Sequence, residues 1–364
     1  MKGEYDRENT APAAGLAIGL TYDLRSSYLA QGYTEEETAE FDSPATIEAI
    51  GAALSELGHR PEYIGNAWEL TGRLAAGERW DLVFNIAEGL YGPGREALIP
   101  ALLDAYRIPY TFSDPCVMAV SLHKAMAKSI IRDLGLPTPA FALIREETDL
   151  QAERLKALEL RYPLFAKPVA EGTGKGITSA SKIEEPEALA RRCRELLVRY
   201  RQPVLVEEYL PGREFTVGIL GTGSRASVLG TLEVIIRDQG EQGAYSYLNK
   251  ENCDRLVDYC LARDEAARAA EAVCLELWRA LDCRDAGRID VRLDADGRPG
   301  IMELNPLAGL HPNHSDLPMI AAMVGMSYRE LIARIVGSAR RRVQPYARER
   351  LSPVSVPSSS SILV

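Results

Sequence analysis

The chain has 364 residues, of which 46% are hydrophobic and 26% charged, and its formal net charge is −10. That length exceeds a typical single core, so an ordinary soluble globular protein of two or three domains is expected. The acidic balance argues against a nucleic-acid partner, no apolar stretch reaches membrane-span length, and the polar start lacks the apolar core of a signal peptide.

Residues 1–14 read as a disordered lead-in. Leu16–Leu20 is a short apolar strand. Ser43-Pro44 predicts a helix start, with the hydroxyl at the N-cap and proline at the first helical position. That helix runs through Leu57 and stops at Gly58. Pro61–Gly65 and Asp81–Ile86 read as strands with a polar helix between them. Glu96–Arg107 is a further helix and Ile108–Thr111 a further strand. Such alternation predicts a doubly wound parallel sheet over residues 15–122, and therefore ligands at the loop Ala87–Arg95 after a strand's carboxyl end.

His123–Leu134 reads as a helix closed by Gly135, followed by a linker with Pro137 and Pro139. Ala140–Gly218 then reads as strand, helix, strand, glycine loop, strand, helix, strand, so residues 123–215 form a second unit. A third, residues 216–344, holds strands, a tyrosine-rich loop, a helix over Asp264–Leu281, a hairpin and a last helix near Ser327–Ser338. Residues 345–364 are a low-complexity tail expected to be disordered.

The hairpin is Gly287–Pro306, with a turn at Asp294–Gly297. Strand alternation puts Arg288, Asp290 and Arg292 on one face and Ile289, Val291 and Leu293 on the other. On the second strand Glu303 and Asn305 share a face, with Met302 and Leu304 opposite. Two carboxylates, an amide and a guanidinium suit Mg²⁺ beside phosphates. The same pattern is equally compatible with a solvated face of cross-strand ion pairs.

Lys167 ends a strand, Lys124 opens a helix, and Glu171–Gly176 (E-G-T-G-K-G) is glycine-rich enough to let backbone approach a phosphate. Val204–Leu210 is an apolar strand ending in Glu207-Glu208-Tyr209-Leu210, with Glu214 beyond it. Taken singly, these are also what surface lysines, a plain hairpin turn and an edge strand look like. His311 and His314 form an H-x-x-H pair without a nearby cysteine, a weak transition-metal pattern.

The hairpin, and the run E-L-N-P-L-A-G-L-H-P-N-H-S-D-L-P that begins inside it at Glu303, resemble the catalytic end of the ATP-grasp ligases, and within them the D-alanine–D-alanine ligase family. V-F-N-I-A-E-G-L-Y-G from Val83, H-K-A-M-A-K from His123, L-F-A-K-P-V-A-E-G-T-G-K-G-I from Leu164 and V-L-V-E-E-Y-L-P-G-R-E-F-T-V from Val204 follow in family order. The resemblance covers roughly residues 15–340. It implies an α/β fold with an N-terminal doubly wound domain and two ATP-grasp subdomains. It also implies ATP with Mg²⁺ or Mn²⁺, amino-acid substrates and an acyl-phosphate intermediate. Cytoplasmic peptidoglycan precursor synthesis, no nucleic-acid or membrane partner, and a homodimer go with it.

Residue by residue, the resemblance gives Lys124 and Lys167 to the ATP phosphates and Glu171, Gly172, Thr173 and Gly174 to the covering loop. Glu207, Glu208, Tyr209 and Leu210 would hold adenine, with Glu207 on its exocyclic amine, and Glu214 would take the ribose. Asp290, Glu303 and Asn305 would hold the metal. Arg288 and the Gly309 N–H would form an oxyanion hole, and Lys250 would reach the γ-phosphate from a mobile loop. Ser315 would bind the second substrate's carboxylate. Three positions depart from the family. The first loop, G-L-T-Y-D-L-R, lacks the glutamate that anchors the first substrate's ammonium, a task open to Glu40 or Asp23. Glu88 stands where a histidine is usual, and Glu251 where a tyrosine follows the loop lysine. Lys175 is a further unusual charge.

Overall fold

Three sheets carry the described residues. The computed structural model describes residues 15–343, except 152, 153, 156–158, 242, 244 and 245. The lead-in 1–14, the tail from 345 and Tyr245 therefore lie outside the described residues. The first sheet is parallel, in the order β2-β1-β3, with β1 Ala17–Thr21, β2 Arg60–Gly65 and β3 Leu82–Asn85. Helices cover both faces, as the alternation predicts. Ile18, Leu20 and Phe84 face the helix Pro44–Glu56, while Ile64 and Val83 face Leu70, Leu74 and Leu103. Ser43 does cap the first of these helices, accepting from Thr46 N–H, and Pro44 opens it.

Two expectations need correction here. Ile108–Thr111 is reduced to one bridge, Tyr110 to Val83. Arg107 and Phe112 on either side both have positive φ, which turns the chain away after a single pair. The helix expected from Glu96 begins at Leu98, after a 3₁₀ turn at Arg95–Ala97.

The second sheet is antiparallel, β4-β7-β5-β6, built from Phe141–Ile144, Leu164–Pro168 (β5), Lys182–Ile183 and Val204–Glu208 (β7). The third, β10-β9-β8-β11-β12, is also antiparallel. Here β8 is Glu214–Leu220, β9 Ser227–Ile236, β10 Val257–Leu261, β11 Ala286–Leu293 and β12 Pro299–Asn305. The helix Glu265–Ala280, capped by Asp264, buries Trp278 against it. The last helix, Tyr328–Val343, outruns its expected end. Its Leu331, Ile332, Ile335 and Val336 join Ile18, Leu20 and Phe84 in one core, so the first sheet is sealed by residues three hundred positions later in the chain.

Candidate functional site

The hairpin β11–β12 sets the centre of the site. Asp290 is directly opposite Glu303, and Arg288 opposite Asn305. The register slips between Asp290 and Val291, so Met302 is an extra residue that opposes nothing. This bulge corrects the placement of Met302. It does not share the core face with Leu304; it lines the cleft beside Glu303. Gly300, on the site face before the bulge, lets Leu210 approach, since a Cβ there would come within 2.6 Å of the Leu210 side chain.

The cleft above this face is lined from both antiparallel sheets and their connections. Lys167, Glu208, Tyr209, Leu210, Glu214, Lys250, Arg288, Asp290 and Glu303, all expected in a site, are brought together there. Phe165 and Tyr209 stack with ring centroids 6.4 Å apart and form one wall. Asp290 accepts from Thr216 Oγ1 at 2.9 Å and Asn305 Nδ2 at 3.3 Å, and it pairs with Arg288. Arg288 also meets Asp316, at 3.3 Å. Lys124 Nζ lies 3.0 Å from Glu303 and donates to the Glu171 carbonyl. Burial opposes ionisation of Glu303, but Lys124, Lys167, Arg288 and Lys250 outweigh it and hold its pKa down at about 2.

Behind the cleft, Glu207 is fully buried, with Oε1 2.6 Å from Lys167 Nζ and Oε2 2.8 Å from Lys128 Nζ. Its carboxylate is committed to two lysines and does not line the cleft, whereas Glu208, Tyr209 and Leu210 do. Burial pushes Lys128 down to about 8 against the pull of Glu207. Glu208 is held by a two-pronged Arg161, at 3.1 and 2.9 Å.

Gly309 and Ser315 are brought together: a Cβ on Gly309 would sit 2.8 Å from Ser315 Oγ, which accepts from His311 N–H at 2.9 Å. Lys250 rides on a short helix, Tyr247–Glu251, capped by Ser246. In the glycine loop, Thr173, Gly174 and Gly176 all take positive φ. Neither alternative ammonium anchor is open. Asp23 accepts from Tyr28 Oη at 2.5 Å and Gly89 N–H at 2.8 Å, and Glu40 is bound to the glycine loop. Glu88 has no hydrogen bond to its carboxylate among the described residues. Burial, and then Glu96, Glu40 and Asp42, push its pKa well up, and burial beside Asp23 raises Asp42 to about 8.

Sequence reasoning left several site groups unassigned. Arg292 was placed on the right face but given no task. It donates to Tyr209 Oη at 2.9 Å, to the Gly243 carbonyl at 2.9 Å and to the Gly212 carbonyl at 3.2 Å, tying the hinge to the lysine-bearing segment. Lys128, Thr216 and Asp316 were also missed. Lys128, one turn after Lys124 on the helix Lys124–Asp133, was the one with a visible signal. Of the H-x-x-H pair, His314 alone gains a cysteine in space: Cys253, Asp254 and His314 offer ligand atoms within 4.8 Å of one another, at a solvent-facing position outside the cleft lining.

The family sequence model described as "D-ala D-ala ligase C-terminus" matches residues 130–337. A D-alanine–D-alanine ligase of Bordetella pertussis is 36% identical over 339 residues, which is 91% of this chain and 98% of that one. The chain belongs to the D-alanine–D-alanine ligase family. Its fold matches that of the Bacillus anthracis D-alanine–D-alanine ligase complexed with ATP, with a TM-score of 0.70 at 20% identity over 91% of this chain and 100% of the other. The VanG D-Ala:D-Ser ligase of Enterococcus faecalis superposes with a TM-score of 0.67 at 18% identity, over 89% of this chain and 99% of that chain. Membership accounts for the α/β ATP-grasp architecture. Among the described residues, no helix is long and apolar enough to cross a membrane.

Proposed function

We propose that this family member is an ATP-dependent carboxylate–amine ligase that joins two D-alanines into D-alanyl-D-alanine, a peptidoglycan precursor. The observation that carries the reading is Glu303, kept ionised opposite Asp290 at the floor of a cleft ringed by Lys167, Lys250 and Arg288. The first substrate's carboxylate attacks the γ-phosphorus, the bond to the bridging oxygen breaks, and ADP leaves. The second substrate's amine then attacks the acyl carbon, loses a proton and displaces phosphate. Lys124 and Lys167 hold the phosphates under the Glu171–Gly174 loop, and Lys250 reaches the γ-phosphoryl group. The hinge Glu208–Leu210 and the Phe165–Tyr209 wall hold the base, with Glu214 on the ribose. Arg288 and the Gly309 N–H meet the oxyanion, and Ser315 binds the second carboxylate. The enzyme is cytoplasmic, with a homodimer as its expected assembly.

The donor set fits a hard cation, because Asp290, Glu303 and Asn305 offer two carboxylates and an amide oxygen on one hairpin face, and Glu303 stays ionised. These three would hold Mg²⁺ or Mn²⁺, which when bound neutralises charge on the transferring phosphoryl group.

Glu88 would take the first substrate's ammonium. Burial and the neighbouring Glu96, Glu40 and Asp42 raise the pKa of Glu88, and this delayed ionisation sets the pH dependence. A carboxyl that is neutral at low pH cannot hold an ammonium, so the KM for the first amino acid should keep falling as pH rises well past the ordinary carboxylate range. A Glu88→Gln enzyme should have a higher, flatter KM over the same range. A flat wild-type profile would remove Glu88 from the substrate site.

The same acidic group favours a second reading: a ligase whose first substrate carries more positive charge than alanine. Phosphate release screened over D- and L-amino acids, with product mass, separates the two. D-alanine dipeptide formation confirms the first. Turnover only with another amino acid replaces it by the second.

A further inference from the structure

The segment 33–42 makes contacts that the ligation chemistry does not use. Glu40 is 6% exposed and 132 residues from Gly172 in sequence, yet its Oε1 accepts from the Gly172 N–H at 2.7 Å. The same oxygen lies 2.9 Å from Lys175 Nζ, and Oε2 accepts from Arg95 at 2.7 Å. Arg95 also donates to the Ala170 carbonyl at 2.9 Å, immediately before the loop. Close by, Glu36 accepts from Tyr200 Oη and pairs with Arg199, both at 2.5 Å. Gly172 permits the approach, because a Cβ there would already be 3.1 Å from the Glu40 carboxylate.

Lys175 sits in a loop that should cover phosphates, but its charge turns to Glu40 and to Glu171, at 2.8 Å. One buried carboxylate thus ties both ends of the loop to the first sheet's connections. Burial opposes ionisation of Glu40, and Arg95 and Lys175 outweigh it, so it stays charged at neutral pH. Two residues on, the Asp42 N–H donates to the Asp23 carbonyl at 3.0 Å, beside the acidic group assigned to the first substrate.

We propose that Glu40 is a positioning residue that latches the loop Glu171–Gly176 shut through Lys175 and the Gly172 N–H, with Arg95 as counter-anchor. Closure over the nucleotide is then coupled to the segment bordering the first-substrate pocket. The inference rests on the reading of the cleft as an ATP site.

The test compares wild type, Glu40→Gln, Lys175→Met and the double variant. Calorimetry with a non-hydrolysable ATP analogue is run with steady-state kinetics, and hydrogen exchange is followed at 171–176 without nucleotide. Each single variant should raise the analogue Kd and the KM for ATP about tenfold, with kcat within about twofold, because saturating ATP recloses the loop. The double variant should be no worse than either single one, since both break the same contact. Exchange at 171–176 should quicken in every variant. An unchanged KM for ATP with a lowered melting temperature would make Glu40 merely structural and overturn the proposal, as would additive effects. If Glu40→Gln fails to fold, Lys175→Met, on the loop itself, decides. Absence of analogue binding by wild type would sink the ligase reading, while the exchange of the empty loop would still report on the latch.

Discussion

A Glu303→Gln enzyme is expected to bind ATP within about tenfold of wild type and to turn over about a thousandfold more slowly. The asymmetry follows from geometry. The base and sugar of the nucleotide meet the hinge and Glu214, which the substitution does not touch. Glu303 faces Asp290 and is the one carboxylate on the hairpin pulled to a pKa of about 2 by a surrounding group of basic side chains. Glutamine removes the charge that counters Lys124, Lys167 and Arg288, and one oxygen ligand of the proposed cation. Phosphate release with D-alanine, alongside calorimetric ATP affinity, measures the split. A variant ligating within about tenfold of wild type would place the metal site elsewhere.

Glu207→Ala is expected to be the most damaging single change to stability, at about 3–5 kcal/mol. Lys128 and Lys167 are 1% and 6% exposed, and they share this one carboxylate. Removing it leaves two ammonium groups facing each other out of water. Glu208→Ala, one residue along, breaks a pair whose Arg161 is 86% exposed. Its cost should stay within about 1 kcal/mol. Denaturant unfolding of both variants is the comparison, and equal losses would show that burial of the lysine pair is not what makes Glu207 costly to remove.

Much of the fold was legible because its signals are local. Ser43-Pro44 and the Asp294–Gly297 turn each act within four residues, and both sit where the sequence puts them, while the helix expected over Asp264–Leu281 runs from Glu265 to Ala280 with Asp264 as its cap. The parity of Arg288, Asp290 and Arg292 needed only the pleat. What stayed hidden depends on partners far along the chain. Glu40 meets its loop across 132 residues, and Asp285 caps the Phe112 N–H across 173. The short strand expected at Ile108–Thr111 failed for the opposite reason: its apolar residues suit a strand, but flanking positive-φ positions do not sustain one. Glu207 was assigned by family position to a base, and only the packing of two helix- and strand-borne lysines shows how its charge is spent.

The unpaired Met302 has a further consequence. A pleated strand counts in twos, and the bulge holds this odd residue out of the pairs, which keeps Glu303 and Asn305 in phase with Asp290 and Arg288. Were the strand paired regularly beyond Val291 and Ile301, Met302 would oppose Asp290 and Glu303 would oppose Ile289, with its carboxylate toward the buried side of the sheet. Insertions or deletions in the Asp294–Gly297 turn leave that phase alone. Along this hairpin, then, sequence length is free to drift at the tip, and Met302 can be carried or lost at no cost to the metal-binding face only because the bulge, not the pleat, takes it up.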